Sequence, residues 1–460
     1  MSKESYHAGF STVDITPPLD LDVRLGGYLR IHKVATKVLY PLFARSVCFR
    51  HPRMPEKSLL FMACDLVGFQ YRLGKLVRKL ISRGTGIPVS RIVLHFTHSH
   101  STPDTIGIFP NRISNLLTFD VQYPVITHVM QKMIQSGVEA FENATVEACI
   151  GYGTTTKVEP NLAIMRRPPY TKIHDPIRFV KIADPAGKLR GLIVNYQAHP
   201  TQLPQSNANI HPEYPGMICR GLLEQMDGLE FACYFNGAAG DVTIHGYKGY
   251  AVKRKWEGLS HEKAMEHAIQ VIEDLGDVFV QYVMDSVDGV PTTPLASISG
   301  CRRFIFPRVG RIKSIWNRLP FYKTLNQKMK LLLGELKNAL RISMFHDLYR
   351  FVNGRPLPML NIVKNGRRTY HQTEIFVYRL NDIYWFSSPG EPFYKYQEAL
   401  FRKVPSGKSI FSQMNETCGY IYPWSFYVKG GYETFFSFDA LFGKYMHDQF
   451  ANTLTRIQRG

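Results

Sequence analysis

Residues 91–104 read RIVLHFTHSHSTPD. A β-branched, apolar run leads straight into three histidines, at 95, 98 and 100, and then into a Ser-Thr-Pro turn. The run has the composition of a strand, and the turn ends it. If the strand continues to His100, side-chain alternation sets His98 and His100 on one face with Phe96 and sends His95 and Thr97 to the other. Neutral imidazole is the commonest transition-metal ligand, and ligands gather where strands empty into loops. The stretch therefore reads as half of a metal site at a strand end, with His95 structural.

The same texture extends on both sides. Short apolar runs (SLLFMACDLVGF 58–69, ATVEACIGYG 144–153, IRFVKIAD 177–184, LRGLIVNYQAHP 189–200, LEFACYFNGAAGD 229–241) alternate with helical patterns at 71–82, 123–142 and 260–283. Ser260 is the expected N-cap of the last, with Glu262 in its first turn. Strand and helix in alternation predict an α/β fold. After a surface connection over 286–300 and an unlike segment at 301–352, the α/β texture returns in TEIFVYRL (373–380) and DIYWFSSPGEPF (382–393). No internal repeat is legible.

A chain of 460 residues, 45% of them apolar, has enough material for a large core. The N-terminus lacks an apolar run of signal-peptide length and no stretch is long enough to span a bilayer, so the expected location is cytoplasmic. The cysteines at 48, 64, 149, 219, 233, 301 and 418 stand singly and without CxxC spacing, as buried reduced thiols do. The net charge is +19, and eleven Lys or Arg against one acid lie between Cys301 and Arg341. Leu325, Met329, Leu332, Leu336 and Leu340 recur there at helical spacing, beside Trp316 and Phe321. This is the pattern of a basic amphipathic helical insertion, suited to an anionic membrane surface and peripheral attachment. A nucleic-acid partner is not expected, because aromatic-basic interleaving and a helix-turn-helix pattern are both missing.

A metal needs further ligands. His199 ends another apolar run just before a proline, and Glu391 follows a Pro-Gly turn that is expected to expose it. HEKAMEH (261–267) is set aside, since a spacing of six puts its histidines about 120° apart around a helix. The Gly-rich turn in NGAAGDVT (236–243) matches neither a dinucleotide fingerprint nor a Walker sequence, but it presents the Thr243 hydroxyl beside Asp241. G-x-S-x-G is absent.

In order along the chain, AGFSTVDITPP (8–18), GGY (26–28), LYPLFARSV (39–47), CDLVG (64–68), THSHSTP (97–103), AHPTQL (198–203), EYPG (213–216), FNGAAGDVT (235–243), PGE (389–391) and the tract from Tyr420 to Glu433 resemble the neutral/alkaline non-lysosomal ceramidase family. The resemblance covers about 1–290 and 360–440. It implies one α/β catalytic domain over 1–460, with central mixed β-sheets flanked by helices, interrupted by the insertion at 301–352 and lacking the C-terminal β-sandwich of secreted ceramidases. It also implies zinc held by His98, His199, Glu391 and a tyrosine placed at Tyr420, with Tyr422 as the fallback. His100 and Arg166 would then meet the amide oxygen or its oxyanion, and the family's GDVS serine falls on Thr243. Ile244 and His245 replace the usual proline and asparagine, and Glu213 stands where relatives often carry aspartate.

The implied activity is zinc-dependent hydrolysis of the amide of an N-acylated lipid or lipid-like amine. Zinc with an open position polarises a carbonyl and lowers the pKa of bound water, and an imidazole or guanidinium stabilises the charge that develops on oxygen. Two other readings stay open. One is an amide-forming N-acyltransferase using the same site, and the other is a non-catalytic lipid-binding or membrane-associated protein.

Overall fold

Three mixed sheets built on one plan surround a shared apolar centre. They are seen in a computed structural model, which describes residues 5–28, 34–107, 121–155, 162–166, 171–244, 259–307, 361–366, 368–413, 415–423, 425–426, 433 and 442–459. Sheet A runs, in spatial order, Ile92–Phe96, Leu59–Cys64, Phe43–Arg50, His7–Asp14 and Val146–Glu147. Sheet B runs Phe231–Asn236, Leu189–Tyr196, Arg178–Ala183, Cys149–Thr154 and Thr293–Pro294. Sheet C runs Ile298–Ile305, Thr373–Leu380, Ile383–Ser387 and Ser409–Ser412. The α-helices among the described residues are α1 Tyr71–Thr85, α2 Tyr123–Glu142, α3 Glu213–Gln225, α4 His261–Val287, α5 Tyr394–Phe401 and α6 Phe442–Arg459.

Each sheet has one parallel pair of strands, and a helix carries the chain between the two members. Leu59–Cys64 and Ile92–Phe96 are joined through α1, Leu189–Tyr196 and Phe231–Asn236 through α3, and Ile383–Ser387 and Ser409–Ser412 through α5. The structure thus contains three βαβ units of like form, although no repeat is visible in the sequence.

Strand alternation assigns each residue to a layer. In Leu59–Cys64 every side chain is buried: Leu60 and Met62 pack toward Val77 and Ile81 of α1 and Val125 and Met133 of α2, while Leu59, Phe61 and Ala63 enter the centre. In sheet B, Leu192, Val194 and Tyr196 meet α3 and α4, and Ile193 turns inward. In sheet C, Ile375 and Val377 lie in the cluster with Met446 and Phe450 of α6, and Phe376 and Tyr378 face inward. The continuous apolar runs of the sequence are strands covered on both faces. Trp385 of sheet C stacks on Phe61 of sheet A at 4.2 Å and meets Phe235 of sheet B edge-on at 4.8 Å.

Several expectations need correction. The histidine-bearing strand stops at Phe96, and His98 has φ +67°, which no extended residue adopts. Alternation along a strand is therefore not what brings His98 and His100 together. The 286–300 connection supplies the edge strand Thr293–Pro294 to sheet B and the start of Ile298–Ile305. The segment from 301 begins as strand, with Cys301–Ile305 paired antiparallel to Thr373–Val377. Arg302 is also committed to an ion pair, 3.2 Å from the buried Glu374, which Arg78 contacts as well. The rest of the expected helical insertion, 308–352, lies outside the described residues.

Other expectations hold. Ser260 accepts from the Lys263 N–H at the start of α4, with Glu262 in the first turn. All seven cysteines are free, six of them buried and Cys301 partly so. Among the described residues no helix is long and apolar enough to cross a membrane.

At one end of the centre, His95 ties the sheets together. Its Nδ1–H donates to the Gln413 carbonyl (2.6 Å), its Nε2 accepts from the Asn236 N–H (2.9 Å), and its ring lies on Phe235 at 4.7 Å. Burial pushes its pKa down to about 3, with the Gln413 bond opposing, so it stays neutral. The expected structural role is borne out. His95→Ala removes both bonds, strands a buried N–H and C=O, and opens a cavity; we expect a loss of about 2–5 kcal/mol in chemical denaturation. A change under about 1 kcal/mol would remove His95 from this role.

Candidate active site

The parallel strands of all three sheets empty toward one place, as open α/β sheets do at their carboxyl ends. After Cys64, residues 65–68 wrap so that His98 N–H donates to the Leu66 carbonyl (2.9 Å) and His98 Nδ1–H to the Val67 carbonyl (2.5 Å). A carbonyl only accepts, so Nδ1 carries a proton and Nε2 is the atom turned toward the site. His199, three residues beyond Tyr196 in sheet B, is held in the same way: its N–H donates to the Val242 carbonyl (3.2 Å) and its Nδ1–H to the Ala239 carbonyl (2.6 Å). Burial first, and then the Arg166 charge, lower its pKa to about 4, and its ring is neutral at pH 7.

Glu391 follows sheet C strand Ile383–Ser387 and brings its carboxylate between these rings. Oε2 lies 3.0 Å from His199 Nε2 and 3.3 Å from His98 Nε2. Burial acts to raise the Glu391 pKa, yet the two imidazoles outweigh it and hold the carboxyl well below its usual range. Only 7% of Glu391 is exposed, contrary to the exposure expected after a Pro-Gly turn. The turn delivers it inward instead: Gly390 takes φ +58°, and a Cβ there would meet the Gly419 carbonyl at 2.3 Å.

His100 completes a buried group of three imidazoles, with Nε2 3.3 Å from His98 Nε2. One ring nitrogen from each of His98, His100 and His199 falls within a 4.8 Å span, the one such cluster of metal-ligating side chains among the described residues. Its ring packs against Tyr28 at 4.7 Å, and Gly27 is obliged to be glycine because φ is +87° and a Cβ would sit 2.2 Å from the imidazole.

The remaining candidates line the same region. Glu391–Pro392 pairs in parallel with Tyr420–Ile421, Glu391 opposite Tyr420, and the Tyr420 ring lies nearly parallel to that of His199 at 6.5 Å. Tyr422 instead packs among Phe393 and Phe426. The Arg166 guanidinium stands 5.7 Å over the Tyr420 ring, donates to the Gly240 carbonyl and lies 3.9 Å from Glu433. Thr243 is buried on the short strand Val242–Ile244, bridged to His199 through the backbone. Among the HEKAMEH histidines, His261 is exposed at the start of α4, and neither joins the imidazole group.

Sequence reading missed the carbonyls of Val67 and Ala239, which fix the imidazole tautomers, because backbone atoms leave no compositional signal. It also passed over Asp241, whose Oδ1 accepts the Tyr394 N–H at 2.8 Å and whose burial pushes its pKa up to about 7. GGY was the only hint of Tyr28, and Glu213 was noted only as standing where relatives often carry aspartate.

Two imidazole nitrogens converging on one ionised oxygen need a proton or a metal cation among them. A third imidazole closes the group. Donor types, neutral rings and carbonyl-held Nδ1 atoms together make a set that fits zinc. A neutral ceramidase from Pseudomonas aeruginosa superimposes with a TM-score of 0.73 at 15% identity, covering 99% of this chain and 75% of that one. The fold is that of neutral ceramidase structures. A ceramidase complexed with C2 gives 0.71 at 14% identity over the same shares. No protein-family model and no curated protein matches the sequence.

Within this ceramidase-like fold Asp241 has a titration of its own. Its folded pKa, about 7, lies above the unfolded 3.8, so between these values the native state keeps a proton that the unfolded chain releases. The stabilisation is full below pH about 4 and is lost as pH rises through 7. Relative to Asp241→Asn, the unfolding free energy of the parent should fall by about 2–4 kcal/mol from pH 4 to 8. Parallel pH curves for the two proteins would contradict this.

Proposed function

We propose that the protein is a zinc-dependent amidohydrolase that cleaves the amide of an N-acylated lipid or lipid-like amine of the ceramide type. The observation that carries the reading is the convergence of the His98 and His199 Nε2 atoms on the Glu391 carboxylate beside a third buried imidazole, a donor set that suits a bound zinc. The shared fold with ceramidase structures supports the substrate class.

In this reading His98, His199 and Glu391 hold zinc together with Tyr420, whose ring borders His199. When bound, zinc supplies Lewis acidity to a water and to the amide carbonyl. His100 and Arg166 donate to the amide oxygen as it gains charge, a contribution made mainly in the transition state. The Thr243 hydroxyl orients the carbonyl or takes part in the attack. Buried walls keep bulk water out, which strengthens each of these contacts. The carbon–nitrogen bond breaks, the acyl carbon gains the oxygen of water, and the amine departs with its proton.

Elemental analysis should find one zinc per chain, lost in His98→Ala and His199→Ala. His100→Ala and Arg166→Ala should keep the metal and lose about 10²-fold or more in release of fatty acid and free amine from an N-acyl lipid. Full zinc in the first pair would end the ligand assignment, and metal loss from the second pair would exchange the two roles. For Thr243→Ala, a loss of similar size marks a hydroxyl in the reaction, and a small one leaves water as the nucleophile.

The reading extends to an anionic membrane surface as the place where such a substrate is met. It rests on the ten Lys or Arg that remain between 303 and 341 once Arg302 is set aside in its pair with Glu374. Flotation with anionic liposomes should depend on salt and vanish without 308–352. Binding indifferent to lipid charge refutes this part alone.

A further inference from the structure

We infer that Glu213 is a positioning residue that sets the spacing between the loop of His98 and His100 and the loop of His199. The inference rests on the metal reading of the site and assigns this chain's own means of fixing it.

Glu213 opens α3 in a conformation that glutamate rarely takes, φ +59°, with its side chain wholly buried. Its two carboxylate oxygens collect donors from both loops. Ser101 Oγ donates from the loop of the histidine pair (3.3 Å), and the N–H groups of Gln202 (3.1 Å) and Leu203 (3.2 Å) donate from the loop after His199. One side chain therefore spans the two loops whose imidazoles converge.

Neighbouring bonds repeat the grip and explain the backbone conformation. Glu213 N–H donates to His211 Nδ1 (2.8 Å), His211 N–H to the Ser101 carbonyl (2.8 Å), and Ser99 Oγ–H to the His211 carbonyl (3.0 Å). Asn207 Nδ2 donates to Ser101 Oγ (3.0 Å), and Tyr214 O–H to the Ala198 carbonyl (2.7 Å). Residues 207–214 thus hold 99–101 on one side and 198–203 on the other, and His100 N–H reaches the Pro200 carbonyl across the gap (3.4 Å). With the His98 and His199 rings facing each other across the two loops, centroids 5.0 Å apart, a few tenths of an ångström between the loops alters the group.

The chemistry requires a carboxylate. Three donors meet two acceptor oxygens, whereas a glutamine has one acceptor and turns an NH₂ toward the others. Aspartate keeps both oxygens on a shorter reach. Groups that orient ligating histidines in this manner typically alter metal affinity by about 10- to 100-fold when changed.

The full chain, stripped of metal, is titrated with Zn²⁺ against a chelating dye and with Co²⁺ by visible absorption, and its thermal unfolding is recorded without metal. Glu213→Gln should fold, bind zinc about 10- to 100-fold more weakly, and give a cobalt spectrum altered in shape. Glu213→Asp should recover part of the affinity, and Ser101→Ala should weaken zinc a few-fold. Parent-like zinc affinity and cobalt spectrum in Glu213→Gln, with only the melting temperature lowered, would overturn the inference and leave Glu213 a fold residue. If Glu213→Gln does not fold, Ser101→Ala decides, and unchanged metal binding there overturns it equally. A parent chain that binds neither metal overturns the metal reading itself, and this role with it.

Discussion

The His95 ring donates to the Gln413 carbonyl and accepts from the Asn236 N–H, so a single neutral imidazole on a strand of sheet A satisfies backbone groups at strand ends of the other two sheets. Its partners extend the seam. Gln413 N–H donates to the Asn236 carbonyl and Gln413 Oε1 accepts from the Ala239 N–H, while Asn236 Nδ2 donates to the Thr97 carbonyl. Leaving any of these buried groups unpaired costs on the order of 1–3 kcal/mol, so the sheets dock in one register or lose several bonds together. The loops that begin at Thr97, Gly237 and Asn415 therefore start from fixed points; the first carries His98 and His100 and the last leads to Tyr420, while His199 and Glu391 follow the adjacent strands Leu189–Tyr196 and Ile383–Ser387.

What the fixed loops build is a buried carboxylate between two imidazoles, a group that needs a proton or a metal cation at its centre. The Val67 and Ala239 carbonyls hold the Nδ1 protons of His98 and His199, which turns both Nε2 atoms toward the Glu391 carboxylate. A surface pair of this kind would relax by rotating a ring or bringing in water. Here the walls are buried, the rings are fixed at both ends, and His98 sits at φ +67°. Strain and unmet charge of this sort persist where the surroundings over-determine them, as they do at functional centres. Arg166, over Tyr420 and near Glu433, brings positive charge to the edge of the group rather than its middle.

The α/β class, the flanking helices and the capped start of α4 were legible because periodicity and turn chemistry are local. His98, His199 and Glu391 were legible as candidates because each ends an apolar run. Their convergence was not, since it depends on three sheets meeting through His95, Asn236 and Gln413, residues far apart in sequence. The expectation that His98 and His100 share a strand face placed them correctly for the wrong reason: the strand ends at Phe96, and a left-handed turn at His98 brings the rings together. Glu391 looked exposed because Pro-Gly turns usually are, but Gly390 folds it inward. Likewise, the basic composition from 301 masked a strand, because Cys301–Ile305 pair with sheet C whatever charge they carry.

The three βαβ units also explain why no short motif identifies the site. Sheet A supplies His98 and His100, sheet B His199, and sheet C Glu391 and the paired Tyr420, so each unit alone holds too few ligands for a structural zinc site. A metal that binds this set binds only the docked assembly, and its binding energy then adds to the docking of the sheets instead of to any one of them. The division also frees the units from resembling one another in sequence. A shared form suffices, because every parallel pair directs its carboxyl ends to the same point, and the chemistry at that point is set by the few residues that follow each strand.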